Sequence, residues 1–289
     1  MKKKLEIFQI DAFTNLPFKG NPAAVTFGNG LSTIQKQLIA REMNLSETAF
    51  LSKSKIADYK LQWFTPTSEV KICGHATIAS LHFLTEKKLL REGQQIKFET
   101  LSGVLNCHRV SNHYFMQIPI PKISIYKKSQ DALLKVLGIK KTQLNKNLPF
   151  IIVNQDTCYV NVRSLDDLKN LKPNFNELLE LGKQKKEFGI IVVFTLETFD
   201  KNTNAHSRCF APYYGINEDP VTGSTNGPLL LVLKTLGFIK QQEAIIQAAF
   251  EQGDFIGKDG RVRVTFNPVK NELYISGNAV TVLKANLVF

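Results

Sequence analysis

The sequence predicts an α/β (α+β) fold of two similar lobes, each a sheet wrapped around one central, buried helix. Three observations carry this. Short apolar-alternating segments and helical-period segments are mixed along all 289 residues, a length that suits one large or two medium domains. Two stretches share one plan: "WFTPTSEVKICGHATIASLHFL" and "CFAPYYGINEDPVTGSTNGPLLLVL" each run strand, Phe-x-Pro, irregular loop, Gly plus a polar residue, then an apolar segment. Those apolar segments, Ile78, Ala79, Leu81, Phe83 and Leu84 in one and Leu229 through Leu233 in the other, are apolar nearly all round, which marks buried helices.

The elements follow in order. LEIFQIDAF (5–13) alternates as a strand, Asn15, Pro17, Gly20, Asn21 and Pro22 turn the chain, and AAVTF (23–27) is a second strand. Leu31, Ile34, Leu38, Ile39 and Met43 repeat at helical spacing over 31–43. Strands are expected at 46–52 and 59–66, and a helix at about 76–90. Residues 97–110 and 113–119 read as one hairpin. After about residue 125 the cycle restarts with a helix over 129–138, strand at 150–162, helices DDLKNL and FNELLELGK, and strands at 188–197 and 206–212. An apolar helix is expected at about 227–237, and RVRVTF, ELYISGNAV and VLKANLVF return to strand. The lobes are expected at 1–124 and 125–276, with 277–289 packing back on the first.

The totals exclude several classes. With 43% hydrophobic and 21% charged residues the chain is globular, neither disordered nor fibrous. The net charge of +12 comes from small scattered groups such as Lys2-Lys3-Lys4, Lys87-Lys88 and Lys185-Lys186, with no aromatic-interleaved basic stripe. A solvated basic surface is therefore expected, not a nucleic-acid partner. Cys73, Cys107, Cys158 and Cys209 form no C-x-x-C pair, so no metal site and no disulfide framework is expected. The N-terminal apolar run is broken by Gln9 and Asp11, and no run is long enough for a membrane span. A reduced, cytoplasmic protein follows.

Chemistry is expected at the two helix starts. A helix N-terminus offers unpaired N–H groups and partial positive charge, and a glycine there lets a ligand approach the backbone. Gly74-His75 and Gly223-Ser224 are two such starts, suited together to a small anion such as a carboxylate. Acid/base groups flank them, His75 at one and Asp219 at the other. Glu47 shares strand parity with Leu45, Ala49 and Leu51, so it faces apolar surroundings and its pKa is expected to rise, as suits a general acid/base. Each residue also has an ordinary use. Glu47 could pair with a buried Arg, and His75 could cap or fill a core. Asp219 before Pro220 initiates turns, Ser224 suits an N-cap, and a buried Cys73 is most often inert.

The set "QIDAFTNLPFKGNPAAV", "LSETAFL", "FTPTSEVKICGHAT" and "SRCFAPYYGINEDPVTGS" resembles the PhzF-like (phenazine biosynthesis PhzC/PhzF) family of the diaminopimelate-epimerase-like fold, from about residue 5 to the C-terminus. The forms "CGHAT" and "EDPVTGSTNGP" are most similar to its uncharacterised bacterial branch. The resemblance implies two curved, mostly antiparallel lobes with the active site in the cleft between them. It implies a cofactor-independent isomerase, usually a homodimer, acting on a small carboxylate-bearing substrate. It places the catalytic acid/base at Glu47, supporting groups at His75, Asp219 and Ser224, and backbone donors at Gly74 and Gly223. In the family's best-known reaction the glutamate moves a proton from C3 to C1 of a dihydro-hydroxyanthranilate. Related epimerases use one cysteine at each helix start. Here Cys73 occupies the first such position, but Val221 occupies the second, which disfavours a two-thiol racemase. An epimerase using Cys73, and a non-catalytic binding protein, are the competing readings.

Overall fold

The computed structural model describes residues 4–145, 148–239 and 244–289. Lys2 and Lys3 of the first lysine group lie outside the described residues. The chain divides into two compact units, Met1–Ile118 with Tyr274–Phe289, and Pro119–Leu273.

The first unit opens with β1 (Lys4–Ala12), β2 (Asn21–Phe27), α1 (Thr33–Met43), β3 (Glu47–Ser52), β4 (Tyr59–Phe64), β5 (Glu69–Val70) and α2 (Gly74–Glu86). It continues through β6 (Gln95–Thr100), β7 (Gly103–Val110) and β8 (His113–Ile118). The second unit holds β9 (Ile123–Ile125), α3 (Asp131–Leu137), β10 (Ile151–Val153), β11 (Thr157–Asn161), α4 (Leu165–Lys169) and α5 (Phe175–Gln184). Then come β12 (Ile190–Thr195), β13 (Ala205–Ala211), β14 (Ile216–Asp219), α6 (Gly223–Thr235), β15 (Ile246–Gln252) and β16 (Gly260–Asn267). From Tyr274 onward, β17 (Glu272–Gly277) and β18 (Ala279–Val288) belong again to the first unit.

In the first unit β1 lies antiparallel between β2 and β18. β2 pairs parallel with β3, β3 antiparallel with β4, β4 parallel with β6, and β6–β7–β8 form an antiparallel meander. The expected single hairpin over 97–119 is thus two hairpins, because Leu101 and Ser102 turn the chain between β6 and β7. Strand alternation sorts the two sheet faces. Ile7, Ala24, Phe50 and Phe64 point to α1 and cluster with Ile39 and Ala40. Phe8 points the other way and meets Phe83 of α2 edge-on at 4.9 Å between ring centres. Helix α2 packs against β1, β2, β3, β8 and β18, and nearly every one of its residues is buried.

Helix α1 starts at Ser32, whose hydroxyl caps Gln35 N while the Gln35 side chain caps Ser32 N. Its expected apolar stripe is only partly used. Ile39 and Ala40 are buried, whereas Ile34 and Leu38 are exposed. The face toward the sheet runs through Lys36, Ile39, Ala40 and Met43, at helical spacing, and the Lys36 ammonium ends on Gln62 Oε1 at 2.7 Å.

In the second unit β10 lies between β9 and β11 and antiparallel to both, and β11 pairs parallel with β12. β12 pairs antiparallel with β13, β13 parallel with β15, and β15 antiparallel with β16. Because β9 pairs with β10, residues 119–124 fall in this unit. A core of Leu133, Leu137, Phe150, Val160, Ile191 and Phe210 seats α3 to α5 on the sheet. α6 packs against β15 and β16. It begins at Gly223, earlier than the expected 227, with Pro228 inside its first two turns. Pro228 lies beyond the orphan N–H groups of the first turn, so it removes the helical donor that would have bonded Ser224 O.

Candidate functional site

The first unit brings Glu47, Cys73 and His75 together. Glu47 begins β3 in parallel register with Ala23 of β2, on the sheet face that carries α2. Cys73 is the N-cap of α2 in extended conformation, with no side-chain capping bond, and Gly74 and His75 form the first helical positions. All three side chains are buried, with relative exposures of 8% for Glu47, 6% for Cys73 and 5% for His75. Glu47 Oε2 lies 3.1 Å from His75 Nε2. Cys73 Sγ lies 3.6 Å from His75 Nδ1 and 3.9 Å from Nε2, and Ser46 Oγ lies 3.4 Å from Nε2. Glu47 Oε2 is otherwise shut off from water and makes no well-aligned hydrogen bond.

The expected rise in the Glu47 pKa is corrected by this geometry. Burial does push the carboxyl up, but the charge of His75 and the polar groups of His75, Ser46 and Cys73 outweigh it, and Glu47 is held below the ordinary glutamate value. Strand parity shows which face a residue occupies but not what stands opposite. Burial likewise opposes the His75 imidazolium. The negative charge of Glu47, and polar contacts with Glu47 and Cys73, nonetheless raise its pKa above the usual value. Burial and the Glu47 charge push the Cys73 thiol up to about 11, so near neutrality it is a thiol and Glu47 is the anion that faces His75. The cluster is therefore a carboxylate–imidazolium pair with a protonated thiol beside it.

No zinc spacing is legible in the sequence, yet donor atoms of Glu47, Cys73 and His75 lie within 4.8 Å of one another. Three of the other histidines have partners of their own. His82 Nδ1 lies 3.0 Å from the Tyr114 hydroxyl, His108 stacks on Phe115 at 4.5 Å, and His206 pairs with Glu251 at 2.9 Å.

The second unit builds the start of α6. Asp219 ends β14 opposite Cys209 of β13, Thr222 is the N-cap, Gly223 is buried, and Ser224 is exposed. The Thr222 hydroxyl donates to Asp219 Oδ2. One residue ties the rest together. Gln252, buried at the end of β15, accepts from Thr222 N at 3.0 Å and from Asn226 Nδ2 at 2.6 Å. Its amide donates to the Asp219 carbonyl at 2.7 Å and to Thr222 Oγ1 at 3.0 Å. Gly253 follows with φ +91°, and a Cβ there would meet Lys258 O at 2.3 Å and Pro220 O at 2.8 Å, so only glycine fits the turn that places Gln252. Next door, burial pushes Glu251 up, but His206 and the backbone N–H groups of Phe199 and Asp200 hold it at about 2. Sequence reasoning missed Ser46, Thr222 and Gln252. The one available signal was the run Glu251-Gln252, two adjacent polar residues closing a strand just before a glycine.

Residues 10–285 match the model of the phenazine biosynthesis-like protein (PhzC-PhzF) family. The chain belongs to that family. It is 38% identical to an uncharacterised isomerase of Clostridium acetobutylicum, over 100% of this chain and 99% of the relative. A crystal structure of a Bacillus anthracis phenazine biosynthesis protein of the PhzF family superposes with a TM-score of 0.91 at 30% identity, covering 99% of this chain and 100% of that one. A hydroxyproline epimerase of Agrobacterium vitis superposes at 0.62 and 12% identity, over 100% of this chain and 94% of that one, a likeness of fold alone. The α/β fold expected from the sequence is therefore that of the PhzF proteins and the racemase-like epimerases, and the protein is an enzyme of the isomerase type.

Proposed function

We propose that the protein is a cofactor-independent isomerase that moves a proton within a small carboxylate-bearing substrate, with Glu47 as the shuttle. The observation that carries this reading is the buried Glu47–His75 ion pair at 3.1 Å. It keeps a carboxylate deprotonated at neutral pH in a place closed to bulk water. A carboxylate so placed can take a proton from a carbon flanked by electron-withdrawing groups and return it at another carbon on the same face. His75 keeps its own charge throughout and stabilises negative charge growing on the substrate, with the N–H groups at the start of α2 adding to that field. A low Glu47 pKa slows proton removal but speeds return, because the protonated acid is stronger. The raised positive field of His75 offsets the first effect by lowering the energy of the carbanion.

Roles for Asp219, Gly223 and Ser224 toward the same substrate's carboxylate are part of this proposal, as are a homodimer and a cytoplasmic location. Epimerisation through Cys73 is the second reading, favoured by the thiol's 3.6 Å approach to His75 Nδ1. Two features support the first reading instead: the thiol pKa of about 11, and buried Val221 where a second thiol would stand.

The test is substrate-dependent deuterium uptake from D2O across a panel of unsaturated and 2-substituted carboxylates, read by mass spectrometry. Uptake is expected in the wild type and in Cys73→Ser, and is expected to vanish in Glu47→Gln. Full turnover by Glu47→Gln removes Glu47 from the mechanism. Uptake abolished in Cys73→Ser alone transfers the role to the thiol.

A further inference from the structure

We propose that Glu47, Cys73 and His75 form a binding site for a borderline-soft divalent cation of the Zn2+ type, and that the cation and the proton-transfer chemistry exclude one another. The donor set is the one such ions select, one thiolate, one imidazole and one carboxylate, with a fourth position left for water or a substrate oxygen. Mg2+ and Ca2+, which prefer oxygen ligands alone, are excluded by the same set.

The geometry fits. Zinc bonds of about 2.0–2.3 Å put ligand atoms on a tetrahedral ion about 3.3–3.5 Å apart. Measured from His75 Nε2, Glu47 Oε2 stands at 3.1 Å and Cys73 Sγ at 3.9 Å, and all three donors fall within 4.8 Å of each other. Rotamer adjustments of roughly 1 Å close the set. Glu47 Oε2 meets the His75 ring at 3.1 Å without an aligned hydrogen bond, an ion-pair contact that a bound cation would replace. The exchange is also balanced in charge. A thiolate, a neutral imidazole and a carboxylate around one divalent ion carry no net charge, and the protons displaced from the trio go to solvent. The consequence for activity rests on the proposed role of Glu47, whose lone pairs the metal would occupy. The binding itself does not.

The test needs no substrate. The reduced, chelator-stripped full chain is titrated with Co2+ and then with Zn2+. One equivalent of Co2+ is expected to give tetrahedral visible bands and a thiolate-to-cobalt charge-transfer band, both displaced by Zn2+ and unaffected by excess Mg2+. The charge-transfer band should vanish in Cys73→Ser, and Glu47→Gln, with the thiol intact, should weaken Zn2+ binding by more than about 100-fold. Absence of the band in the wild type overturns the proposal. So does a band that survives Cys73→Ser, which would place the metal on Cys107, Cys158 or Cys209, and so does unchanged affinity in Glu47→Gln. Trp63 emission confirms that each variant is folded. Failure here leaves the Glu47 shuttle standing, since that is read by deuterium uptake alone.

Discussion

Glu47 and His75 hold each other's charge in a place where neither would keep it alone. The lowered Glu47 pKa means its contribution to stability is fully present above the ordinary glutamate value of 4.5, and is lost as pH falls through the depressed folded value. The raised His75 pKa works in the opposite sense: its contribution is fully present below 6.5 and is lost as pH rises through the elevated folded value. Both are whole between those two ordinary values. His75→Asn, which strands a buried carboxylate, is therefore expected to cost roughly 1–3 kcal/mol, most at pH 5–6. The cost should narrow on the acid side as Glu47 protonates and on the alkaline side as wild-type His75 loses its proton. Urea midpoints of the two proteins across pH check this, and a pH-independent gap would show that the pair is not ionised. The thiols give a second prediction at this scale. All four cysteines are buried and their pKa values are raised, to about 11 for Cys73 and about 12 for Cys209. At neutral pH iodoacetamide should leave the native protein unmodified over a period in which the urea-unfolded chain takes four adducts, counted by intact mass. Rapid single labelling at Cys73 would instead mark a thiolate there.

At the scale of elements, the start of α6 depends on a strand that sequence reasoning did not assign. β15 brings Gln252 beneath Thr222, and four hydrogen bonds from one amide fix the helix N-cap and the Asp219 backbone. Gln252→Ala is expected to loosen this corner by roughly 1–3 kcal/mol, the cost of leaving buried donors and acceptors unmet. Amides of residues 219–226 should then exchange with D2O roughly 5- to 150-fold faster, while those of α2 keep their protection. Uniform acceleration would instead mean global destabilisation. The contrast with α2 shows what was legible. Both central helices were readable because a nearly all-apolar segment can only be buried, and Gly74-His75 was readable because glycine before such a segment marks its start. Glu47's face followed from strand parity. The partner that decides its ionisation is 28 residues away, and Gln252 is 30 residues from Thr222. Such pairings come from how strands and helices are brought together, which local pattern does not encode. The same limit explains α1: its apolar positions were visible, but which side of the stripe meets β3 and β4 was not, and Ile34 and Leu38 are exposed.

At the scale of the whole chain, the last strand completes the first unit. β18 comes more than 150 residues after β8, yet pairs with β1 along the full length of that strand, with one register shift between Gln9 and Ile10. Asn278 is tied there too: its carbonyl accepts from Phe13 N at 2.8 Å and its amide donates to Asn112 O at 3.0 Å. Removing residues 279–289 would expose one whole hydrogen-bonding edge of β1, a strand paired on both sides, and uncover part of α2. Entropy runs the other way, because the truncated chain no longer closes so long a loop, but that cost grows only slowly with loop length and does not offset the lost pairing. The chain carries a single tryptophan, Trp63 in β4, 1% exposed and in the first unit. Its emission therefore reports on that unit, while far-ultraviolet circular dichroism averages over both. In the truncated chain Trp63 emission is expected to shift to the red and lose its cooperative thermal transition, while a substantial part of the dichroism persists from residues 119–273. A truncated protein whose Trp63 keeps its wild-type emission and melting curve would show that β1 to β8 and α2 fold without β18, and that the terminal strand is an accessory rather than a structural part of the unit holding Glu47, Cys73 and His75.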